Sequence, residues 1–392
     1  MLDFNKDKGN CTGCSACYSI CPKHCITMNA DKEGFLYPEI TGECISCGLC
    51  EKVCPAIHAK PIQQFKKKSF AATAKDFKIW KRSASGGAFS CICKCFGDDK
   101  TLVVGAAWSG LKVHHISILG VDNISPLCKS KYISSDLEDV FIEIKNYLKT
   151  GNKVIFCGTP CQVAGLNAFL RKTYENLLTI DLICHGVGSP YVFNSAIDEI
   201  GKQAGDNVVS YEFRYKNRRY ESDHISLVKF QNKGLKQLIG DQYIQLFLSQ
   251  ISLRPSCGKN CKYRDPNRPG DLTIADARGL KFFIKGNYDT TKNYTHVVIN
   301  TEQGLKAVDK INDYMEVYPC RIKDVTRFNP LFERNTNFNN DRDSFFKEYI
   351  INGEETIRKY TKQYREKKMT LKSFIRLYFP KYMIIAIDRL RK

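Results

Sequence analysis

The chain has 392 residues, enough for two or three domains with their own cores, and its 43% hydrophobic content excludes a disordered polypeptide. Nineteen cysteines in a chain this long, with no apolar leader, read as metal ligands and free thiols rather than as a disulfide framework. The formal net charge of +19 favours an anionic partner, although that count takes metal-bound thiolates as neutral.

No apolar run approaches the roughly 18 residues of a membrane-crossing helix. The opening "MLDFNKDKGNC" lacks the apolar stretch of an export signal, so a cytoplasmic location is expected.

The first elements are "CTGCSACYSICP" (11–22) and "CISCGLCEKVCP" (44–55). Each reads C-x2-C-x2-C-x3-C-P, the bacterial ferredoxin spacing for 4Fe–4S clusters, in which the fourth cysteine of each run ligates the other cluster. Cys11, Cys14 and Cys17 are therefore expected with Cys54, and Cys44, Cys47 and Cys50 with Cys21. The short intervals let three thiolates and nearby N–H groups wrap one cube. Gly13 and Gly48 allow close backbone approach, and Pro22 and Pro55 turn the chain afterwards. The competing reading, a pair of zinc ribbons, would use ligands in two separated pairs. Cys25 falls outside the pattern and reads as a small buried hydrophobe. Residues 1–58 thus form a two-cluster ferredoxin domain that passes electrons one at a time.

Residues 59–69, "AKPIQQFKKKS", read as a linker. Beyond them apolar runs at 101–107, 153–157, 176–184 and 295–300 read as buried strands. Between them, residues 135–151 show helical spacing, with a capping box from Ser135 to Glu138 and a terminal Gly151. Further helices begin at Pro160 and Pro190, proline being favoured at the first helical position. The fold class is α/β: a small α+β ferredoxin-like domain, then an α/β domain over 70–345 with a mixed, largely parallel sheet, then a basic helical tail over 346–392.

Two junctions, "SASGGAFSCICKCF" (83–96) and "FCGTPCQVAG" (156–165), place N–H groups at a helix start where phosphate could sit. On the two motifs alone an ordinary capped helix is the favoured reading, and neither is a G-x-G-x-x-G fingerprint. Cys91, Cys93 and Cys95 cannot share one helical face and read as core or surface thiols. Cys128, Cys157 and Cys320 have no assigned role.

With those junctions in view, the chain resembles the beta subunits of coenzyme F-420-dependent hydrogenases and dehydrogenases. The resemblance runs through "SASGG" (83–87), "GTPCQVAGL" (158–166), "DLICHGVGSP" (181–190), "FRYK" (213–216), "LRPSCGKNCKY" (253–263) and "RPGDLTIADARGL" (268–280). With the ferredoxin module it covers about residues 5–300, and it is the order of the motifs that is specific. It implies FAD in the α/β domain, a third 4Fe–4S cluster, and hydride exchange with a deazaflavin or another organic acceptor. A flavin suits such a chain because it handles one electron or two.

The resemblance singles out Cys161, Cys184, Cys257 and Cys261 as ligands of the third cluster, the alternative being unrelated free thiols. Loops at the carboxyl ends of parallel strands converge on one edge, which lets such dispersed residues meet. It also places Ser85, Gly86, Gly87, Thr159 and Gln162 near the flavin, neutralising phosphate charge with N–H and hydroxyl groups. Arg214 and Lys216 are candidate anion contacts, or else a solvated strand face. His185 is a candidate proton shuttle, or else a structural histidine. Asp276 is retained, but Ala277 and Arg278 stand where relatives carry an aromatic pair. That substitution favours an anionic substrate over the deazaflavin.

From Thr356 to Lys392 there are twelve Lys or Arg against two Asp or Glu. Leu371, Phe374, Ile375 and Tyr378 share one helical face, which either covers the α/β domain or lies on an anionic membrane surface. No nucleic-acid-binding signature accompanies the charge. The expected function is an iron–sulfur flavoprotein oxidoreductase, oxygen-sensitive and served by a ferredoxin or partner subunit. The alternative is a non-catalytic electron-transfer subunit. A redox-sensing role lacks any effector motif.

Overall fold

The computed structural model describes residues 8–58, 65–216, 225–258, 261–284, 286–334 and 339–368. The amino-terminal module is built on one antiparallel hairpin, β1 (Ile26–Ala30) and β2 (Leu36–Ile40), paired from Ile26↔Ile40 to Ala30↔Leu36. Its two cysteine runs carry short helices, Ala16–Ile20 and Leu49–Lys52. The second and fourth residues after the first cysteine of each run have left-handed backbone. They are Gly13 and Ser15 in one run, Ser46 and Gly48 in the other. Glycine and serine exchange places between the runs, so the conformation, not the residue type, is what the repeat preserves.

Eight further strands form one mixed sheet: β3 (Lys68–Ala74), β4 (Leu102–Ser109), β5 (Lys112–Leu119), β6 (Val154–Cys157), β7 (Leu177–Leu182), and, later in the chain, three more. The intervening β8 (Val208–Phe213), β9 (Ile225–Phe230) and β10 (Gly234–Ile239) make a separate antiparallel sheet that the apolar pattern did not announce. The last strands of the main sheet are β11 (Leu272–Asp276), β12 (Thr295–Ile299) and β13 (Met315–Cys320). Its order is β13-β3-β12-β11-β7-β6-β4-β5. The four strands β11-β7-β6-β4 run parallel, as the alternation of strand and helix requires, and antiparallel strands flank them.

The parallel centre is buried on both faces. Val154 and Phe156 point to one face with the helices Val140–Lys149 and Pro160–Leu170, while Ile155 points to the other with the helix Ala88–Phe96. Thr159 caps the helix that Pro160 begins, in a capping box with Gln162, and Ser189 caps the one that Pro190 begins. Ser135 does not cap a helix, contrary to expectation. The helix starts at Val140 after Asp139, and the Ser135 hydroxyl is bonded instead to His115 Nδ1 (2.9 Å) and Gln162 Nε2 (3.0 Å). A tertiary bond has taken the group that local spacing offered to a cap.

The ferredoxin module packs directly on this domain. Cys14, Ala16 and Val53 share a core with Leu166 and Phe169, while Phe35 and Tyr37 share another with Phe213, Phe247 and Phe345. The tail expected from residue 346 is not set apart over its described part. Phe346, Tyr349, Ile357 and Tyr360 are buried in that second core, and Arg342 pairs with Glu33 of the module. The amphipathic stretch at 371–378 lies outside the described residues. No described helix is long and apolar enough to cross a membrane.

Candidate metal centres and cofactor edge

The left-handed residues of the two cysteine runs turn successive backbone N–H groups inward, a geometry that favours anions. Each nest borders a cavity that is partly open to solvent. One, of about 170 Å³, is lined by Cys21, Cys44, Cys47 and Cys50 together with Cys25. The other, of about 20 Å³, is lined by Cys11, Cys14, Cys17 and Cys54. The fourth cysteine of each run has thus crossed to its twin, as the spacing requires. Burial pushes the Cys14 thiol up to about 12 and raises Cys17 and Cys54. Thiolate charge at such positions is favoured only beside a cation, which bound iron supplies.

Four thiolates around one zinc would lie about 3.8 Å apart. Among the described residues, no three of these thiols fall within 4.8 Å of one another. Cys25 is buried, as expected, yet it is more than core filler, since its Sγ stands 3.4 Å from that of Cys21.

The structure also brings together the four dispersed cysteines. Cys161 sits in the first turn of the helix Pro160–Leu170, its Sγ 3.1 Å from Thr159 Oγ1. Cys184 follows β7 and accepts a hydrogen bond from Gly186 N–H at 3.3 Å. A Cβ on Gly186 would stand 3.2 Å from the Cys257 Cβ. The charges of Cys257, Cys161 and Cys261 all act on the Cys184 thiol. Burial raises Cys161 and Cys184, and pushes Cys257 up to about 12. Tyr263 lies between this group and the module, within the field of Cys14, Cys54, Cys161 and Cys261.

A wholly buried ion pair holds the fourth member in place. Arg268 donates to Asp181 Oδ1 at 2.9 Å and to the carbonyl of Tyr263 at 2.7 Å, joining the Cys261 loop to the end of β7. Neither Arg268 nor Asp181 stood out in the sequence. Their only signal was two opposite charges inside otherwise apolar or glycine-rich strand borders, "TIDLIC" and "RPGDLTIA".

The remaining expected site residues line the same carboxyl edge in two groups. Thr159 and Gln162 stand beside Cys161, and their polar groups meet each other, with Thr159 N–H donating to Gln162 Oε1 at 2.9 Å. Ser85 and Gly86 lie three strands away, fastened to the sheet by Ser85 Oγ donating to Tyr294 O (2.7 Å) and Gly86 N–H donating to Thr295 Oγ1 (2.9 Å). Gly87, with φ of 94°, then caps the helix Ala88–Phe96. Three strand spacings are about 14 Å, a gap that a dinucleotide bridges and a lone phosphate does not.

Arg214 and Lys216 are not a solvated strand face. Arg214 pairs with Asp276 at 2.9 Å, and Lys216 donates to the carbonyls of Trp80 (2.7 Å) and Ser85 (2.6 Å) while lying 4.0 Å from the Trp80 ring centroid. Beside them Trp80 Nε1 and Arg82 Nε are buried donors without a hydrogen-bond partner among the described residues. His185 packs on Phe247, its Nε2 is 3.3 Å from Phe247 O, and burial pushes its imidazole down to about 4.

Comparison with known proteins bears on both halves of the chain. Residues 10–57 match the profile of the 4Fe-4S dicluster domain, and residues 151–323 match that of the C terminus of the coenzyme F420 hydrogenase/dehydrogenase beta subunit. No curated protein matches the chain. A solved structure titled as the xenon-derivatised F420-reducing [NiFe] hydrogenase complex from Methanosarcina barkeri contains a chain similar in fold. The identity is 17% and the TM-score 0.46, covering 76% of this chain and 91% of that one. Residues 151–323 are thus similar to the carboxyl-terminal part of the coenzyme F420 hydrogenase/dehydrogenase beta subunit, and residues 10–57 match a 4Fe–4S dicluster domain.

Proposed function

We propose that the chain is an iron–sulfur flavoprotein oxidoreductase with three 4Fe–4S centres in series and FAD at the carboxyl edge of its sheet. The observation that carries this reading is the meeting of Cys161, Cys184, Cys257 and Cys261 immediately behind the Cys11–Cys14–Cys17–Cys54 set. Cys44 and Cys47 are exposed, so the outer set is the place where a ferredoxin or partner subunit would exchange electrons. When bound, the flavin would exchange single electrons with the centres and a hydride with an organic substrate.

The chain's own groups favour an anionic ligand along that edge. Lys216 fastens the Ser85–Gly87 loop, and the unpartnered donors of Trp80 and Arg82 lie beside it. Arg214, held by Asp276, and Arg278 add positive charge where the substrate would approach. Ala277 and Arg278, in place of an aromatic pair, argue for an anionic substrate rather than a deazaflavin.

One observation favours the second reading, a carrier subunit without flavin: the capping box of Thr159 and Gln162 already satisfies the groups expected to meet the cofactor. Anaerobic purification separates the two. The flavoprotein contains about twelve iron atoms per chain and FAD released on denaturation. Iron without releasable FAD supports the carrier, and zinc in place of iron sinks both. Oxygen sensitivity and a cytoplasmic setting belong to the same proposal.

A further inference from the structure

Arg254 is 1% exposed, yet no carboxylate pairs with it among the described residues. Its Nε donates to Cys11 O at 2.9 Å, and its Nη2 donates to Leu36 O at 2.8 Å while standing 3.7 Å from Cys11 Sγ. The guanidinium lies over the Tyr37 ring, with Cζ 4.3 Å from the centroid. Gly13, at φ of 69°, makes room for it, because a Cβ there would stand 2.8 Å from Nη1. Of the other buried arginines, Arg268 and Arg342 have carboxylates, Asp181 and Glu33, and Arg264 donates to the carbonyl of His185.

An isolated buried charge is strongly unfavourable, and arginine does not shed its proton to escape. Its countercharge must therefore come from something that is anionic only when loaded. The thiolates of the first cysteine set meet that requirement, and one of them is already within reach of the guanidinium. Arg254 also precedes Cys257 by three residues, and its field favours the anionic form of Cys161 and Cys257. It therefore stands between two of the cysteine sets and belongs to the α/β domain while hydrogen-bonding the module.

Resting on the iron–sulfur reading above, we propose that Arg254 is the buried countercation of the Cys11–Cys14–Cys17–Cys54 centre, raising its reduction potential and setting it apart from the outer centre. Each electron added to that centre adds negative charge beside a fixed positive one, which favours the reduced state.

The test is an EPR-monitored redox titration of the anaerobically purified full chain, with R254Q and R254K. In R254Q, reduction of the Cys11–Cys14–Cys17–Cys54 centre becomes less favourable by about tenfold or more, equivalent to about 59 mV for one electron, with a shift of the same sign at the Cys161–Cys184–Cys257–Cys261 set. The centre on Cys44, Cys47, Cys50 and Cys21 keeps its wild-type potential. R254K keeps the charge but loses the fork, so its shift has the same sign and is smaller. General loosening of the fold would not move one potential and leave the other. Wild-type potentials for every centre in R254Q overturn the proposal, and if R254Q does not fold, a wild-type potential in R254K does so. A wild-type chain without iron would instead sink the iron–sulfur reading, whatever the variants do.

Discussion

Gly165, in the middle of the helix Pro160–Leu170, lies against Cys14 of the module so closely that a Cβ on it would stand 2.8 Å from the Cys14 Cβ and 2.9 Å from its Sγ. Four residues earlier the same helix carries Cys161. One turn of helix therefore separates a member of the third cysteine set from the contact that seats the first. A Gly165→Ala chain has to open this seam, since the obstructing atoms include the Cys14 backbone oxygen at 3.1 Å. Overpacking of this kind costs about 1–3 kcal/mol, to be read as a lower urea midpoint. A midpoint equal to wild type would show that the module does not dock on this helix.

Asp181→Asn tests how the third set is assembled. The substitution leaves Arg268 buried with its charge uncompensated, and Gly270 N–H loses an ionised acceptor at 3.0 Å. Breaking a buried pair from one side destabilises by about 3–5 kcal/mol. Because Arg268 ties the Cys261 loop to the end of β7, the variant is expected to lose about four iron atoms per chain and keep the other eight or so. Full iron retention would mean that Cys261 is not a ligand.

The ferredoxin module was legible because its signal is local: four thiols within eleven residues, twice, fix both the cluster and the crossing of Cys21 and Cys54. Strands such as Val154–Cys157 were legible because the parallel centre is buried on both faces and leaves an apolar run. β10 was not, since it is largely exposed, with Leu235 at 66% and little apolar patterning to announce it. Arg254 was invisible for another reason. A sequence assigns arginine to the surface, and only the packing of Tyr37, Gly13 and Cys11 around it reveals a buried charge. Ser135 misled because a cap and a long-range hydrogen bond use the same hydroxyl.

Lys216→Met probes the cofactor edge. The side chain donates to Trp80 O and Ser85 O, so removing it frees the Ser85–Gly87 loop and deletes a positive charge beside the orphaned donors of Trp80 and Arg82. Charge-assisted hydrogen bonds contribute about 1.5–3 kcal/mol each, so flavin retention is expected to weaken at least about tenfold. Iron content should not change. Equilibrium dialysis of FAD against the apoflavin chain measures the effect, and undiminished affinity would move the flavin away from this loop.

Acid stability follows from His115 and His296. Burial pushes both imidazoles down to about 4; the field of Lys131 adds to the effect at His115, while Asp324 and Asp276 oppose it at His296. In the unfolded chain each titrates near 6.5. Between those values the unfolded state binds the proton and the folded state does not, so stability is complete above about pH 6.5 and is lost as pH falls towards 4. Each histidine contributes a slope of up to about 1.4 kcal/mol per pH unit. His115→Gln removes one such proton and flattens the curve by that amount. Any acid sensitivity of bound iron is common to both proteins and cancels in their difference. Equal slopes for wild type and variant, measured by urea unfolding from pH 7 to 5, would show that His115 is not held neutral.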